Sequence, residues 1–184
     1  MGDESLAENG HNRIGVTVVG KNLYLKPHGY ATQDNCLGIP AFLEAMFRRG
    51  CARVAFDLEE CDGMDSSFLG VIADAATNLP GRQHGTVVIL NADEQNRKEL
   101  ATVGLLPLIE VLDEPIDAPE GFELEDVDFM HFPCTEQERI EEIKRLHETL
   151  CHLSEHNKEK FGRFVSMLDA ELKQANETET TPAG

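Results

Sequence analysis

The residues best placed to do chemistry are Asp65-Ser66-Ser67, which stand directly before an aliphatic helical pattern. The pattern consists of Phe68, Leu69, Val71, Ile72, Ala75, Ala76 and Leu79, and Pro80-Gly81 ends it. Asp65 or Ser66 is the natural N-cap, because a short oxygen-bearing side chain accepts hydrogen bonds from the free amides of a first turn. Those amides and the helix dipole favour an anion. The sequence therefore predicts two hydroxyl groups at an anion-favouring helix end.

A buried strand must precede this helix. The run Val54–Leu58 is compact and apolar, and it is bounded by Gly50 and by acidic residues. We predict a loop over residues 59–64 between the strand and Asp65. The serines then lie at the carboxyl end of a strand, where α/β proteins usually place their working residues.

The spacing of these elements resembles a known family. Asp57-Leu58, followed seven residues on by Met64-Asp65-Ser66-Ser67 and an aliphatic helix, is similar to the STAS domain of bacterial anti-sigma-factor antagonists. The resemblance covers about residues 14–112. A strand at Val87–Asn91, a helix from Arg97 to Leu112 and a last strand agree with it.

The resemblance implies a function and a set of residues. Ser66 corresponds to the phosphate acceptor of the family, and Ser67 is the second choice. The partner is a serine kinase that is also an anti-sigma factor, and a phosphoserine phosphatase reverses the modification. The expected chain is a non-catalytic, cytoplasmic phosphoprotein without cofactor or metal, which regulates transcription by partner switching. The residues expected at the partner-binding surface are Asp65, Ser67, Phe68, Gly29, Thr32 and Asn91.

Three features depart from the family pattern. Phe68 stands where the family usually has Gly after the two hydroxyl residues, which predicts a bulkier surface beside Ser66. Thr32 lies about where many members carry an acidic residue. The C-terminal third of the chain has no counterpart in a minimal antagonist.

The remaining elements complete the predicted domain. Short β-prone runs at Ile14–Val19 and Leu23–Lys26 predict a hairpin, with a loop over residues 28–35. A helix with Pro40 near its start ends before Gly50, and Asp93 caps a helix that Gly104 ends. Alternating strands and helices indicate a largely parallel sheet. With the resemblance, we predict an α/β, STAS-like sandwich: a mixed, mostly parallel sheet of four to five strands, helices on one face and a C-terminal helical hairpin.

The predicted domain organisation has five parts. Residues 1–13 form a disordered tail, residues 14–112 the STAS-like domain, residues 113–134 an acidic, proline-containing linker, residues 135–175 a helical extension and residues 176–184 a second tail. The linker carries Phe122, Phe129 and Phe132, so we expect part of it to dock. In the extension, Thr135 and Glu138 predict a capping box, and Asn157 is expected to interrupt the helical pattern.

Composition excludes several classes of function. The formal charge is −18, and residues 110–142 hold thirteen acidic residues against Arg139 alone, a net −12. Such a field argues against nucleic acid and anionic membranes. Five cysteines without C-x-x-C spacing indicate free thiols in a reducing cytoplasm. No apolar run approaches membrane-spanning length.

Other chemistries remain as alternatives. A hydrolase would need Ser66 or Ser67 with His28 or His84, but the chain lacks a Gly-x-Ser-x-Gly elbow. The ligand-type residues His147, Cys151, His152 and His156 form two i, i+4 pairs that point about 100° apart, so they do not close one tetrahedral site unaided. Two further alternatives are a non-phosphorylated STAS scaffold that forms a homodimer through its C-terminal helices, and a sensor of nucleotides or other small ligands.

Overall fold

The computed structural model describes residues 13–83, 85–112, 123–127, 129 and 135–179. Its strands are β1 (Arg13–Val19), β2 (Asn22–Ala31), β3 (Arg53–Asp57), β4 (Cys61–Met64), β5 (Val87–Leu90), β6 (Glu110–Val111) and β7 (Glu125–Val127). Its helices are α1 (Gln33–Cys36), α2 (Ile39–Arg48), α3 (Ser66–Asn78), α4 (Glu94–Thr102), α5 (Glu136–Leu153) and α6 (Glu155–Glu179).

The strands form one mixed sheet in the order β6-β5-β3-β2-β1-β7, and β4 pairs with the end of β2. β1 runs antiparallel to β2 and to β7, whereas the other neighbouring pairs are parallel. The mostly parallel α/β sheet and the C-terminal helices confirm the predicted fold class. Beyond the four to five strands expected, the sheet also contains β4 and β7.

The helices cover one face of the sheet. The main core joins Leu43 of α2, Ile72 of α3 and Leu146 of α5 to inward-facing strand residues such as Phe56. On the opposite face, Ala55, Val88 and Leu90 form a small separate cluster. The alternation follows from the two-residue period of a strand, which sends successive side chains to opposite faces.

β2 continues through part of the predicted loop. It extends to Ala31, and Thr32 then caps α1, so the expectation of a loop over residues 28–35 is wrong. Pro27 lies in the gap between the pairing with β3, which ends at Leu25, and the pairing with β4, which begins at Gly29. Because proline has no amide to donate, this gap accommodates it.

The predicted loop before Asp65 also contains a strand. Gly29 pairs with Cys61 and Ala31 with Met64, so the final residues of β2 gain a parallel neighbour. Cys61 and Gly63 are buried while Asp62 between them is exposed, a two-residue alternation that the acidic composition obscured.

Part of the acidic segment docks, as expected. Ile14 and Val16 of β1 pair with Val127 and Glu125 of β7. Phe129 is buried, and its ring meets that of Phe42 edge to face at 5.4 Å. Arg13, the last residue of the predicted tail, begins β1. The described residues exclude residues 1–12 of that tail, most of the linker, His84, Cys134 and residues 180–184.

The C-terminal helices begin as predicted but divide elsewhere. Thr135 and Glu138 form the capping box of α5. The break falls at Ser154, which has extended backbone, and Asn157 lies inside α6, so the prediction that Asn157 interrupts the helix is wrong. Asn157 is fully buried and donates to the carbonyl oxygens of Val103 and Leu150, both at 2.9 Å. α6 ends at Glu179, beyond the predicted start of the tail at Asn176.

Candidate functional site

Asp65 fixes the beginning of α3. One carboxylate oxygen accepts from the amides of Ser67 at 2.8 Å and Phe68 at 3.0 Å, which confirms Asp65 as the N-cap. The other accepts from the amide of Gln33 at 2.9 Å, and the Asp65 amide donates to the Ala31 carbonyl at 3.0 Å. Asp65 therefore ties the start of α3 to the end of β2. Its carboxylate also accepts the hydrogen bonds of first-turn amides that would otherwise be free to bind an external anion.

The two serines that follow are in different environments. Ser66, the first helical residue, is partly exposed, whereas Ser67 is 2% exposed. A hydroxyl buried to that extent is closed to a protein kinase in this conformation. The structure thus favours Ser66 over Ser67 as the accessible hydroxyl.

Ser66 does not project freely into solvent. Its Oγ lies 2.8 Å from Nε2 of His147, a residue of α5. The other ring nitrogen, Nδ1, lies 2.7 Å from the carbonyl oxygen of Ile143. Because a carbonyl can only accept, Nδ1 carries the proton in the neutral ring, and the Ser66 hydroxyl donates to Nε2. The C-terminal extension therefore holds the hydroxyl predicted to be the phosphate acceptor.

The surroundings of His147 keep its ring uncharged. The residue is 3% exposed, and its ring meets those of Phe161 at 5.7 Å and Phe164 at 4.7 Å. Burial lowers the pKa of the His147 imidazole below its ordinary value of 6.5, against the smaller opposing effects of the Ile143 carbonyl and the Asp65 carboxylate. A neutral ring is the form that can accept from Ser66.

α5 lies close against α3 along its whole contact. A Cβ on Gly70 would meet the Cβ of Leu146 at 2.8 Å and its carbonyl oxygen at 3.0 Å, so the absence of a side chain permits the approach. Asp74, which is 8% exposed, pairs with Arg145. Ser66, Gly70 and Asp74 thus form a row on α3 that faces α5.

Beside Ser66 lies a groove of about 510 Å³. Ser66 and Leu69 of α3 form one wall, Lys98 of α4 another, and Lys160 and Phe161 of α6 a third. The Lys160 ammonium lies 5.0 Å from the centre of the Phe161 ring. The groove leaves one side of Ser66 open and places two cationic side chains along it.

The other residues predicted at the partner surface occupy several positions. Gly29 has φ +76° at the shift in register between β2 and β4, where a left-handed conformation favours glycine. Thr32 caps α1 in a reciprocal box with Asn35. Asn91 has φ +52° after β5, and its side-chain amide donates to Asp57 at 2.8 Å. These three residues lie at the carboxyl edge of the sheet, as does Asp65.

Phe68 is not at the surface. It is fully buried and meets Phe56 edge to face at 5.9 Å. The expectation that Phe68 makes the surface beside Ser66 bulkier is wrong, because the third helical residue of α3 points into the core.

A Ser–His pair raises the question of nucleophilic chemistry. His28, one of the two bases considered from the sequence, pairs with Glu60, and the base beside Ser66 is His147. The amides of Ser67 and Phe68, which lie nearest to the hydroxyl, already donate to Asp65. Stabilising an oxyanion requires donors that are not so engaged. The geometry thus favours Ser66 as a hydrogen-bond donor that His147 holds in place, and it does not favour Ser66 as the nucleophile of a hydrolase.

The possible metal ligands of the extension are separated. His147 is buried against Ser66, whereas His152 and His156 are exposed. In the part of the chain that the structure describes, no three His, Cys, Asp or Glu side chains converge on a metal site.

His147 is the functional residue that the sequence reasoning assigned elsewhere. It follows Ile143 by four residues and Leu146 by one, inside the apolar stripe of α5. A histidine within an apolar stripe predicts a buried imidazole that needs a polar partner, and that signal was available. The identity of the partner required the packing of α5 on α3.

Comparisons with known proteins give a likeness to solved structures alone. No family model and no curated protein matches the chain. Among solved structures, the chain is similar to the anti-sigma factor antagonist SpoIIAA in its unphosphorylated form, with 19% sequence identity and a TM-score of 0.45. The match covers 55% of this chain and 88% of that chain. The likeness concerns the fold and carries no statement about function. None of the helices in the described ranges has the length and apolarity needed to span a bilayer.

Proposed function

We propose that the chain is a phosphorylation-switched protein-binding module of the anti-sigma-factor-antagonist type, without catalytic activity of its own. A serine kinase that is also an anti-sigma factor modifies Ser66 and binds the unmodified form, and a phosphoserine phosphatase restores binding. The process belongs in the cytoplasm and regulates transcription by partner switching.

One observation carries the proposal: of the two adjacent serines at the start of α3, Ser66 borders an open groove and Ser67 is buried. The motif that resembles the antagonist family puts the phosphate acceptor at that same residue. Lys98 and Lys160 line the groove together with Glu99, so its wall carries two cations against one carboxylate in a strongly acidic chain, which suits an approaching phosphate donor.

Modification would change the surface by charge. A phosphoserine adds roughly 1.5 to 2 negative charges at neutral pH. Asp62, four residues before Ser66, is exposed, and Asp65 is the preceding residue, so the added charge would join carboxylates already close in sequence. A partner that docks on the neutral form meets like-charge repulsion and a new side-chain volume.

The proposed partner surface is smaller than the sequence predicted. Asp65 and Ser66 form its centre, and Gly29, Thr32 and Asn91 lie along the same edge of the sheet. Ser67 and Phe68 are buried, so they are not part of this surface, but they support it by fixing the first turn of α3.

The direct test incubates the chain with its serine kinase and ATP and maps the modified residue by mass spectrometry. We expect phosphate on Ser66. Ser66→Ala should retain partner binding and Ser66→Glu should lose it, with Ser166→Glu on the exposed face of α6 as the charge control. Phosphate on Ser67 or Thr135 in place of Ser66, or equal binding by the two Ser66 variants, would refute the assignment.

A second candidate function is a self-associating scaffold in which Ser66 only begins a helix. Phe164 is 38% exposed and Met167 is 66% exposed on α6, which gives the extension an apolar surface strip. Sedimentation velocity of the full chain and of the Met167→Ser variant separates the two functions. A dimer that this substitution dissociates favours the scaffold, and a monomer in both cases favours the switch.

A further inference from the structure

The face of α5 that meets α3 is a continuous stripe of buried residues. Ile143, Leu146, His147 and Leu150 are each at most 7% exposed. Their spacing of three and four residues puts them on one side of the helix. An amphipathic helix therefore already contacts Ser66, at the centre of the surface that the proposed function gives to a partner protein.

The α3 side of this contact consists of small or polar residues. Ser66, Gly70 and Asp74 lie four residues apart, in one row, and they contact His147, Leu146 and Arg145 respectively. Ser66, Gly70 and Asp74 carry no large apolar side chain, but Leu146 and Leu150 of α5 belong to the main core and become exposed when α5 leaves. A partner that displaces α5 must therefore bring an apolar face of its own to this contact.

We propose that the C-terminal hairpin, α5 with α6, is an internal competitor for the Ser66 surface: it docks while Ser66 is unmodified and is released when Ser66 carries a phosphate. This inference rests on the proposed function, and it names the regulation of that site. The surface then has three states: covered by α5, bound to a partner that displaces α5, or phosphorylated and bound to neither.

The hydrogen bond between Ser66 and His147 explains the exclusion. Phosphorylation replaces the hydroxyl hydrogen with phosphorus, so Oγ no longer donates, and acceptor oxygens face the lone pair of Nε2 across a 2.8 Å contact. If the phosphate turns towards the groove instead, the buried Nε2 loses its donor. Leaving a buried acceptor without a partner weakens the contact by about tenfold or more.

The groove lysines do not offset this loss. Lys98 and Lys160 are exposed, and an exposed ion pair strengthens a contact by about fivefold or less. A phosphate drawn to Lys160 would hold the hairpin in place, so the two effects oppose each other. Their magnitudes favour weaker docking of the hairpin, and hence a more populated open state, when Ser66 is phosphorylated.

The test installs phosphoserine during synthesis of the full chain, at Ser66 in one protein and at Ser166 in another. Ser166 is on the exposed face of α6, so the control adds the same charge to the hairpin away from the contact. Hydrogen exchange of the α5 amides is then followed by mass spectrometry. We expect exchange in α5 to be about tenfold faster or more with phosphate on Ser66 than with phosphate on Ser166, while β3 and β5 stay protected in both proteins.

Equal or slower exchange in α5 with phosphate on Ser66 would overturn the proposal, and so would loss of protection in β3 and β5. Should the phosphorylated chain not fold, Ser66→Glu against Ser166→Glu gives the same comparison. The experiment needs no kinase and no partner. A kinase that modifies another residue would therefore refute the proposed function but leave this result valid. An unchanged rate of hydrogen exchange in α5 would refute the inference but leave Ser66 as the proposed kinase target.

Discussion

At the scale of single residues, the contact between α3 and α5 at the candidate site depends on one hydroxyl and one imidazole. Ser66 donates to a neutral His147, and His147 donates to the carbonyl of Ile143. A hydroxyl held in this way differs from a freely exposed one, because an enzyme that modified it would first have to break the contact. Under the proposed function, the rate of phosphorylation would depend on how often α5 opens as well as on the kinase.

Protonation of His147 should open the contact as pH falls. Burial lowers its folded-state pKa below 6.5, so between that lower value and 6.5 the unfolded chain binds a proton that the folded chain does not. The stabilising contribution is complete above 6.5 and is lost as pH falls through this window. We expect the free energy of unfolding to decline from about pH 7 to about pH 5.5 more steeply in the wild type than in His147→Gln.

Urea denaturation at a series of pH values measures this difference. The His147→Gln chain is the control because its side chain does not titrate, and other histidines and carboxylates contribute equally to both chains. Parallel pH profiles for the two proteins would show that His147 is not buried as a neutral ring.

At the scale of elements, the packing of α5 on α3 depends on Gly70. A Cβ there would lie 2.8 Å from the Leu146 Cβ, and the backbone oxygen of Leu146 at 3.0 Å leaves little room to adjust. We predict that Gly70→Ala lowers the free energy of unfolding by about 1–3 kcal/mol and speeds hydrogen exchange in α5.

The matched control is Gly162→Ala in α6, where an added Cβ would meet nothing within 4 Å. Alanine at a free helical position is stabilising by roughly 0.5–1 kcal/mol, so this variant should be at least as stable as the wild type. If Gly70→Ala were as stable as Gly162→Ala in thermal denaturation, α5 would not lie on α3 as described.

The same elements show how far the sequence leads. Helix caps followed from local chemistry: Asp65, Asp93 and Thr135 each cap the helix that the pattern assigned to them. The parallel sheet followed from alternating strands and helices. β4 was missed because four residues that include Asp62 and Gly63 have no apolar pattern; they pair because β2 continues past Pro27 and leaves its end unpaired.

The candidate site could be predicted only in part. The sequence pattern predicted two hydroxyls at a strand-to-helix connection, and the resemblance to the antagonist family singled out Ser66. The burial of Phe68 and the contact with His147 were not, since both depend on the direction in which α3 faces and on a helix 81 residues further along the chain. Spacing within one segment does not encode which distant helix covers it.

At the scale of the whole molecule, the chain combines a mixed, mostly parallel sheet with a C-terminal hairpin that packs on α3 beside Ser66. Asn157, fully buried, fixes the start of α6 to the ends of α4 and α5 through two carbonyl oxygens, so the two helices of the hairpin are joined as one unit. Release of α5 would then uncover both the α3 row and the groove. Covering, partner binding and phosphorylation become three alternatives for one surface.

Site-resolved phosphorylation kinetics test this claim most directly. The full chain, Leu146→Ala and Met167→Ala would be compared with the host serine kinase and ATP. Leu146 is fully buried against α3, whereas Met167 is 66% exposed on α6. Both substitutions shorten a side chain of the hairpin, but we expect only Leu146→Ala to weaken its docking on α3. The loss of a buried leucine costs about 2–5 kcal/mol, some of which shifts the hairpin towards its open state.

We predict that phosphate enters Ser66 in all three proteins, about tenfold faster or more in Leu146→Ala and at the wild-type rate in Met167→Ala. Phosphate absent from Ser66, or present at the same rate in all three chains, would contradict the account.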